Sequence, residues 1–157
     1  MRKRISAVIF AFSCLMLFSG AAAAQSRASV PAAEVNGTFR MNFTGKYKGS
    51  SNEIKILALG GGKVRVAMEL VYPYKMQNGE LMANMGELDG EASISGDTAV
   101  YSATEFGKCT ITIKFVTPGT IKVAQDGTDA DCGFGHNVMA TGTYKKVSSK
   151  KPTFETH

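Results

Sequence analysis

Residues 109–117 read Cys-Thr-Ile-Thr-Ile-Lys-Phe-Val-Thr, residues 118–125 Pro-Gly-Thr-Ile-Lys-Val-Ala-Gln, and residues 131–145 Asp-Cys-Gly-Phe-Gly-His-Asn-Val-Met-Ala-Thr-Gly-Thr-Tyr-Lys. Ile111, Ile113 and Phe115 alternate with Thr110, Thr112 and Lys114, the period of a half-buried strand. Thr117-Pro118-Gly119 is a turn, and Ile121 and Val123 carry the next strand. After a glycine-rich loop, Val138, Ala140, Gly142 and Tyr144 share one face of a last strand.

The same period holds upstream. Phe39, Met41, Phe43, Gly45 and Tyr47 alternate with polar residues, residues 52–59 form a second strand, and Gly60-Gly61-Gly62 breaks it. Val64, Val66, Met68 and Leu70 alternate with Lys63, Arg65, Ala67 and Glu69. Residues 72–85 interrupt the pattern, with a helical turn near 81–85 as the one exception to β structure. Residues 87–95 and 98–104 add two strands around Ser95-Gly96-Asp97. Eight short strands joined mostly by tight turns predict an all-β, antiparallel meander over 37–147. It closes into an up-and-down barrel, with a two-sheet β-sandwich as the alternative. Gly45-Lys46-Tyr47 and Gly142-Thr143-Tyr144 place a Gly and a Tyr at matching positions of strands one and eight, suggesting the closure seam.

Because strand direction alternates, loops alternate between ends. The tight loops at 60–62, 95–97 and 116–119 share one end; 49–51, 72–85, 105–108 and 127–136 share the other. Cys109 and Cys132 both fall at the long-loop end, which supports a disulfide between them. Two thiolates and one histidine are a ligand short of a closed zinc site. Function concentrates on long loops held by a rigid frame, so the candidate binding residues are Tyr72, Tyr74, Lys75, Phe106, Phe134 and His136. At Tyr72-Pro73-Tyr74, proline is expected to end ladder pairing and leave the tyrosines at a surface.

The amino terminus reads as a signal peptide over 1–24. Arg2-Lys3-Arg4 precedes an apolar run over 5–20 and an alanine junction before Gln25, a pattern that predicts secretion, with a bacterial periplasmic protein as the expectation. Cys14 lies in mid-run, wrongly placed for lipidation. A flexible leader is expected over 25–36 and a disordered Lys-rich tail over 148–157. The chain has 18 basic and 13 acidic residues. Without the leader's three the basic count is 15, so the net charge falls to +2, and the basic residues are spread along the chain. That argues against nucleic acid binding.

No motif carries an enzymatic chemistry. There is no Gly-x-Ser-x-Gly elbow, and His136 and the terminal His157 are the only histidines. A hydrolase would have to assemble His136 with distant acidic residues. Asp126, Asp129 and Asp131 invite calcium but lack the spacing of an EF-hand, and such residues are ordinary turn material. Met76, Met82 and Met85 with His136 are soft ligands that suit copper(I); methionine is also a common gap filler. Neither metal nor cofactor is expected.

The motifs of 109–145 resemble the C-terminal half of small secreted bacterial domains, some of them appended to proteins of the LprI-like lysozyme-inhibitor group. The resemblance implies an envelope β-domain that binds a lysozyme or a cell-wall component. The Cys-rich N-terminal region of those proteins is missing, as is the Ser-Gly-x-Gly-x-x-Tyr loop of membrane-bound lysozyme inhibitors, so no inhibitory residue is carried over. The expectation is a non-enzymatic, secreted interaction domain whose partner is an envelope or host protein such as lysozyme. A lipocalin-like carrier of a small apolar ligand is the alternative. No membrane span is expected in the mature form.

Overall fold

A computed structural model describes residues 27–154; the expected signal peptide lies outside them. The chain forms one closed barrel of eight antiparallel strands in sequence order. The strands are β1 (Gly37–Asn42), β2 (Ser51–Gly60), β3 (Lys63–Lys75), β4 (Leu81–Ser95), β5 (Thr98–Ala103), β6 (Cys109–Thr117), β7 (Thr120–Asp126) and β8 (Gly142–Ser148). β1 and β8 close the barrel through Phe39↔Lys146 and Arg40↔Lys145. The barrel expectation holds and the sandwich does not.

Alternation decides what is inside. Ile54, Ile56, Val64, Val66, Leu70, Ile111, Ile113 and Ile121 are fully buried, joined by Phe39, Met68, Phe115 and Tyr144. Each aliphatic side chain removed from water contributes about 1.5–3 kcal/mol. The outer wall carries cross-strand ion pairs instead: Arg40–Glu53, Lys55–Glu69, Lys63–Glu91 and Arg65–Asp89. Exposed pairs are worth about 0–1 kcal/mol each, so the filled interior dominates stability.

The tight-turn end is covered by α1 (Ala32–Val35), whose Val35 is buried. Lys146 Nζ donates to the carbonyls of Ala33, Glu34 and Asn36, satisfying orphan acceptors at the end of that turn. Arg27 donates its backbone N–H to Asp97 and its guanidinium to Glu34 and the Phe115 carbonyl. The segment expected as a flexible leader is therefore tied to the barrel from residue 27 onward. At the other terminus, Phe154 lies 4.4 Å from the Arg65 guanidinium, so the tail runs along the outer wall.

Three local expectations are corrected. Gly45 has φ +62°; it ends β1 at Asn42 and turns the chain into a single 3-10 turn over Gly45–Tyr47. Tyr47 is thus half-buried beside Lys46 and does not face Tyr144. Residues 81–85 are strand, not a helical turn. The last strand begins at Gly142, four residues later than its pattern suggests; Val138 and Ala140 are buried in the irregular segment before it.

Candidate functional site

The long-loop end is built from one hairpin and one braced loop. β3 and β4 stay paired from Lys63↔Ser93 to Lys75↔Leu81, while β2 leaves β3 at Glu53↔Glu69. The upper hairpin therefore projects beyond the barrel, where the sequence predicted a loop. The reason lies at Pro73, which pairs with Ala83. Val71 donates its N–H to Asn52 Oδ1 on the β2 side. N–H directions repeat every second residue, so the missing donor of Pro73 faces that same free edge. Proline interrupts no bond to β4.

On this hairpin Tyr72 lies opposite Asn84, Tyr74 opposite Met82, and Lys75 opposite Leu81. Tyr72 is 41% exposed and Met85 56%, with Met76, Leu81 and Met82 also exposed. From residue 71 to 85 only Lys75 and Glu80 are charged. A protruding element rich in Tyr and Met and poor in charge has the composition of an interface centre, and single exposed apolar residues are ordinary only when scattered.

The second part is the segment between β7 and β8. Cys109 and Cys132 are bonded, with Cα atoms 4.9 Å apart, at the end where strand counting placed them. Gly135 donates to the Met85 carbonyl, and Asn84 Nδ2 donates to the His136 carbonyl, so the loop leans on the edge of β4. Phe134 is only 6% exposed and packs against Gly86, where an added Cβ would lie 2.9 Å from its ring. Phe134 is core, a correction to its reading as a binding residue. Its spacing from Cys132 resembled a loop aromatic, and nothing in the sequence announced the glycine beneath it.

Asp129 and Asp131 organise this loop. Asp129 accepts from the N–H groups of Asn137 and Ala130, and Asp131 from the hydroxyl and N–H of Thr128. The Asn137 N–H foremost holds Asp129 below the usual carboxylate range, and the Thr128 hydroxyl does the same for Asp131. Both carboxylates act as turn acceptors. The His136 ring is 82% exposed with Nδ1 3.7 Å from Asp129 Oδ2. Met76 is at the hairpin tip, while Met82 and Met85 alternate between its faces. Among the described residues, no group of three or more His, Cys, Asp or Glu converges as a metal site.

Tyr72, Tyr74 and Lys75 thus lie along one hairpin, and the His136 carbonyl is bonded to it through Asn84. Phe106, 69% exposed, stands apart, its ring over Gly133. Between them is a feature the sequence reading missed. β5 pairs with β4 only over Ser93↔Val100, Ile94↔Ala99 and Ser95↔Thr98, and the strands then separate. A groove of about 180 Å³ opens there, bounded by Glu87, Leu88 and Asp89 on one side and by Tyr101, Ala103, Glu105 and Phe106 on the other. The signal was present as Gly86 and Gly90 on the inward face of β4. An added Cβ at Gly90 would lie 2.7 Å from the Tyr101 ring.

Comparison with protein-family models, with curated proteins and with solved structures finds no match to this chain. Among the described residues, no helix is long and apolar enough to cross a membrane. The disulfide suits an oxidising compartment.

Proposed function

We propose that this protein is a non-enzymatic interaction domain of the cell envelope that docks a partner protein through the projecting β3–β4 hairpin. The observation that carries this reading is the exposed Tyr72, Leu81, Met82 and Met85 on strands that extend past the barrel. An extension that buries none of these side chains in the core stabilises the fold little, and it presents rigid strands with low ordering cost on binding. The interior positions filled by Phe39, Met68, Ile113 and Tyr144 favour surface docking over carriage of a small apolar ligand.

Photo-crosslinking in the native envelope tests the reading. A crosslinker at Met82 should give a discrete adduct that one at Leu59, equally apolar and 46% exposed elsewhere on the barrel, does not. Identical adduct patterns from the two positions would refute it. The lysozyme-directed version, implied by the resemblance, has its own assay: purified protein added to lysing cells should slow lysis, and unchanged lysis across lysozyme types removes that partner.

A further inference from the structure

Strand pairing gathers charges that lie apart in the chain. Ile113, Phe115, Ile121, Val123 and Tyr144 are buried, so by alternation Lys114 on β6, Lys122 on β7 and Lys145 on β8 face outward. Lys114 lies directly opposite Lys122, and Lys145 lies directly opposite Arg40 of β1. On its other side Lys145 is opposite Thr120, two residues from Lys122 on the same face of β7. The four cations form a band across β6, β7, β8 and β1, roughly 14 Å long at the spacing of neighbouring strands.

The band lacks a counter-charge of its own. On the β2–β4 side of the barrel, Lys55, Lys63 and Arg65 are each bonded to an acid on the neighbouring strand. In β6, β7 and β8 the single acidic residue is Asp126, the last of β7. Arg40 is taken by Glu53. Lys114 and Lys122 form no ion pair among the described residues. Asp97 senses the Lys114 charge only after the Thr98 hydroxyl and the Arg27 N–H that it accepts from. Lys145 gives one of its three donors to Thr120 Oγ1 at 2.8 Å, which holds its ammonium in place. Like charges directly opposite across a ladder are destabilising, and an anion laid over them would relieve the wall.

A linear anion fits this wall best. The outside of a closed barrel is convex, and the band is one residue deep on each strand. A flat membrane would touch little of it, whereas a flexible chain can follow it. Lysine meets phosphate as a point charge, while paired recognition of carboxylates favours arginine. Phe115 and Tyr144, the only rings on β6–β8, are buried, so none is offered for stacking of bases. We propose that the outer wall of β6–β8 binds a linear, base-free phosphate polymer through Lys114, Lys122 and Lys145. This wall lies across the barrel from the β3–β4 hairpin.

The test uses the purified chain and a fluorescent poly(glycerol phosphate), with anisotropy read across a salt series. The polymer should bind, and Lys114→Gln with Lys122→Gln should weaken it at least tenfold. The slope of log affinity against log salt should fall by about one for each lysine removed. Lys46→Gln with Lys48→Gln removes the same charge from exposed positions between β1 and β2 and should cost far less. Lys122→Glu should abolish binding yet raise the thermal midpoint, because an ion pair with Lys114 replaces a repulsion. A lowered midpoint would mean that the lysines serve the fold, and overturns the proposal. So does failure of the polymer to bind, an equal loss from the two glutamine pairs, or equal affinity for polyglutamate of the same charge. Tighter binding to phosphatidylglycerol vesicles at equal phosphate also overturns it, since a flat surface would then be the occupant. Hairpin crosslinking from position 82 should persist in the Lys114→Gln, Lys122→Gln variant, so the two surfaces fail separately.

Discussion

The Tyr144 phenol donates a 2.8 Å hydrogen bond to the Ala140 carbonyl, four residues before it in the chain. That bond lies inside the barrel, and it ties the start of β8 to the irregular segment that crosses the long-loop end. Asn52, buried in the same interior, accepts from Val71 at the base of the projecting hairpin. Two buried side chains thus brace the two parts of the candidate site, Tyr144 the segment before β8 and Asn52 the base of the hairpin.

Tyr144→Phe should therefore destabilise by about 1–2 kcal/mol at neutral pH, the cost of leaving buried partners unsatisfied. Burial pushes the Tyr144 hydroxyl up to about 12 from an ordinary value near 10. A raised folded value favours the protonated form, so its contribution is complete below about pH 10 and is lost as pH rises toward 12. The linkage corresponds to about 3 kcal/mol. Urea unfolding at pH 7 and pH 11.5 checks this: the native chain should weaken at the higher pH more than the Phe variant does.

Cys109 and Cys132 close a loop with a sequence separation of 23. On the chain-entropy account, opening it removes about 3 kcal/mol. The double variant Cys109→Ala, Cys132→Ala should show a midpoint shift of that size in urea. Exchange should quicken first at Gly135 and Val138, whose N–H groups bond within this end.

How far the sequence could be read follows from these elements. Period-two alternation identified the barrel and its inward residues because one face of each strand meets a filled core, as at Ile111, Ile113 and Phe115. The cysteine pairing was legible from two cysteines left in a chain read as secreted, and the direction of the strands placed both at one end. Alternation could not tell where a strand leaves the barrel: β3 and β4 continue as a hairpin past the point where β2 departs, and Pro73 read as a stop because its free edge is a tertiary fact. Nor could it show the β4–β5 separation, which depends on the Tyr101 ring lying over Gly90. Phe134 and Phe106 look alike in sequence, and only the positions of Gly86 and Gly133 put one in the core and the other outside.

Gly86 and Gly90 make that dependence testable. Neither has a positive φ, so alanine meets no backbone strain at either position. Its methyl at 86 would lie 2.8 Å from Val138 and at 90 would lie 2.7 Å from Tyr101. Overpacking of this kind costs about 1–3 kcal/mol. Gly90→Ala should also shift the near-ultraviolet signal of Tyr101, whereas Gly79→Ala, in open space at the hairpin tip, should leave that signal alone.

Acid should act on the braced loop. Asp129 and Asp131 are held below the usual carboxylate range by the N–H and hydroxyl groups they accept from, and Asp97 by the Thr98 hydroxyl first and Arg27 after it. A depressed folded value gives stability that is present above the unfolded value, near 3.9, and lost as pH falls through the folded one. Thermal midpoints should be flat above about pH 5 and fall below about pH 4. Asp129→Asn with Asp131→Asn should be less stable than the native chain at pH 7, and the difference should shrink as the pH falls below the usual carboxylate range.

Stability and interaction should separate at the hairpin. Tyr72, Met82 and Met85 are exposed, and surface changes away from caps, cores and buried networks stay within about 0.5 kcal/mol. Tyr72→Ser, Met82→Ser and Met85→Ser together should leave the urea midpoint almost unmoved, because the barrel interior supplies the stability. The same triple variant should lose at least tenfold in crosslinking yield from position 81, since aromatic and apolar anchors dominate interface energies. Leu70→Ala, at a fully buried position directly below on β3, is the opposite case: about 2–5 kcal/mol lost in stability, with crosslinking retained wherever the chain remains folded. A triple variant that unfolds, or that crosslinks as well as the native chain, would show that the hairpin side chains serve the fold.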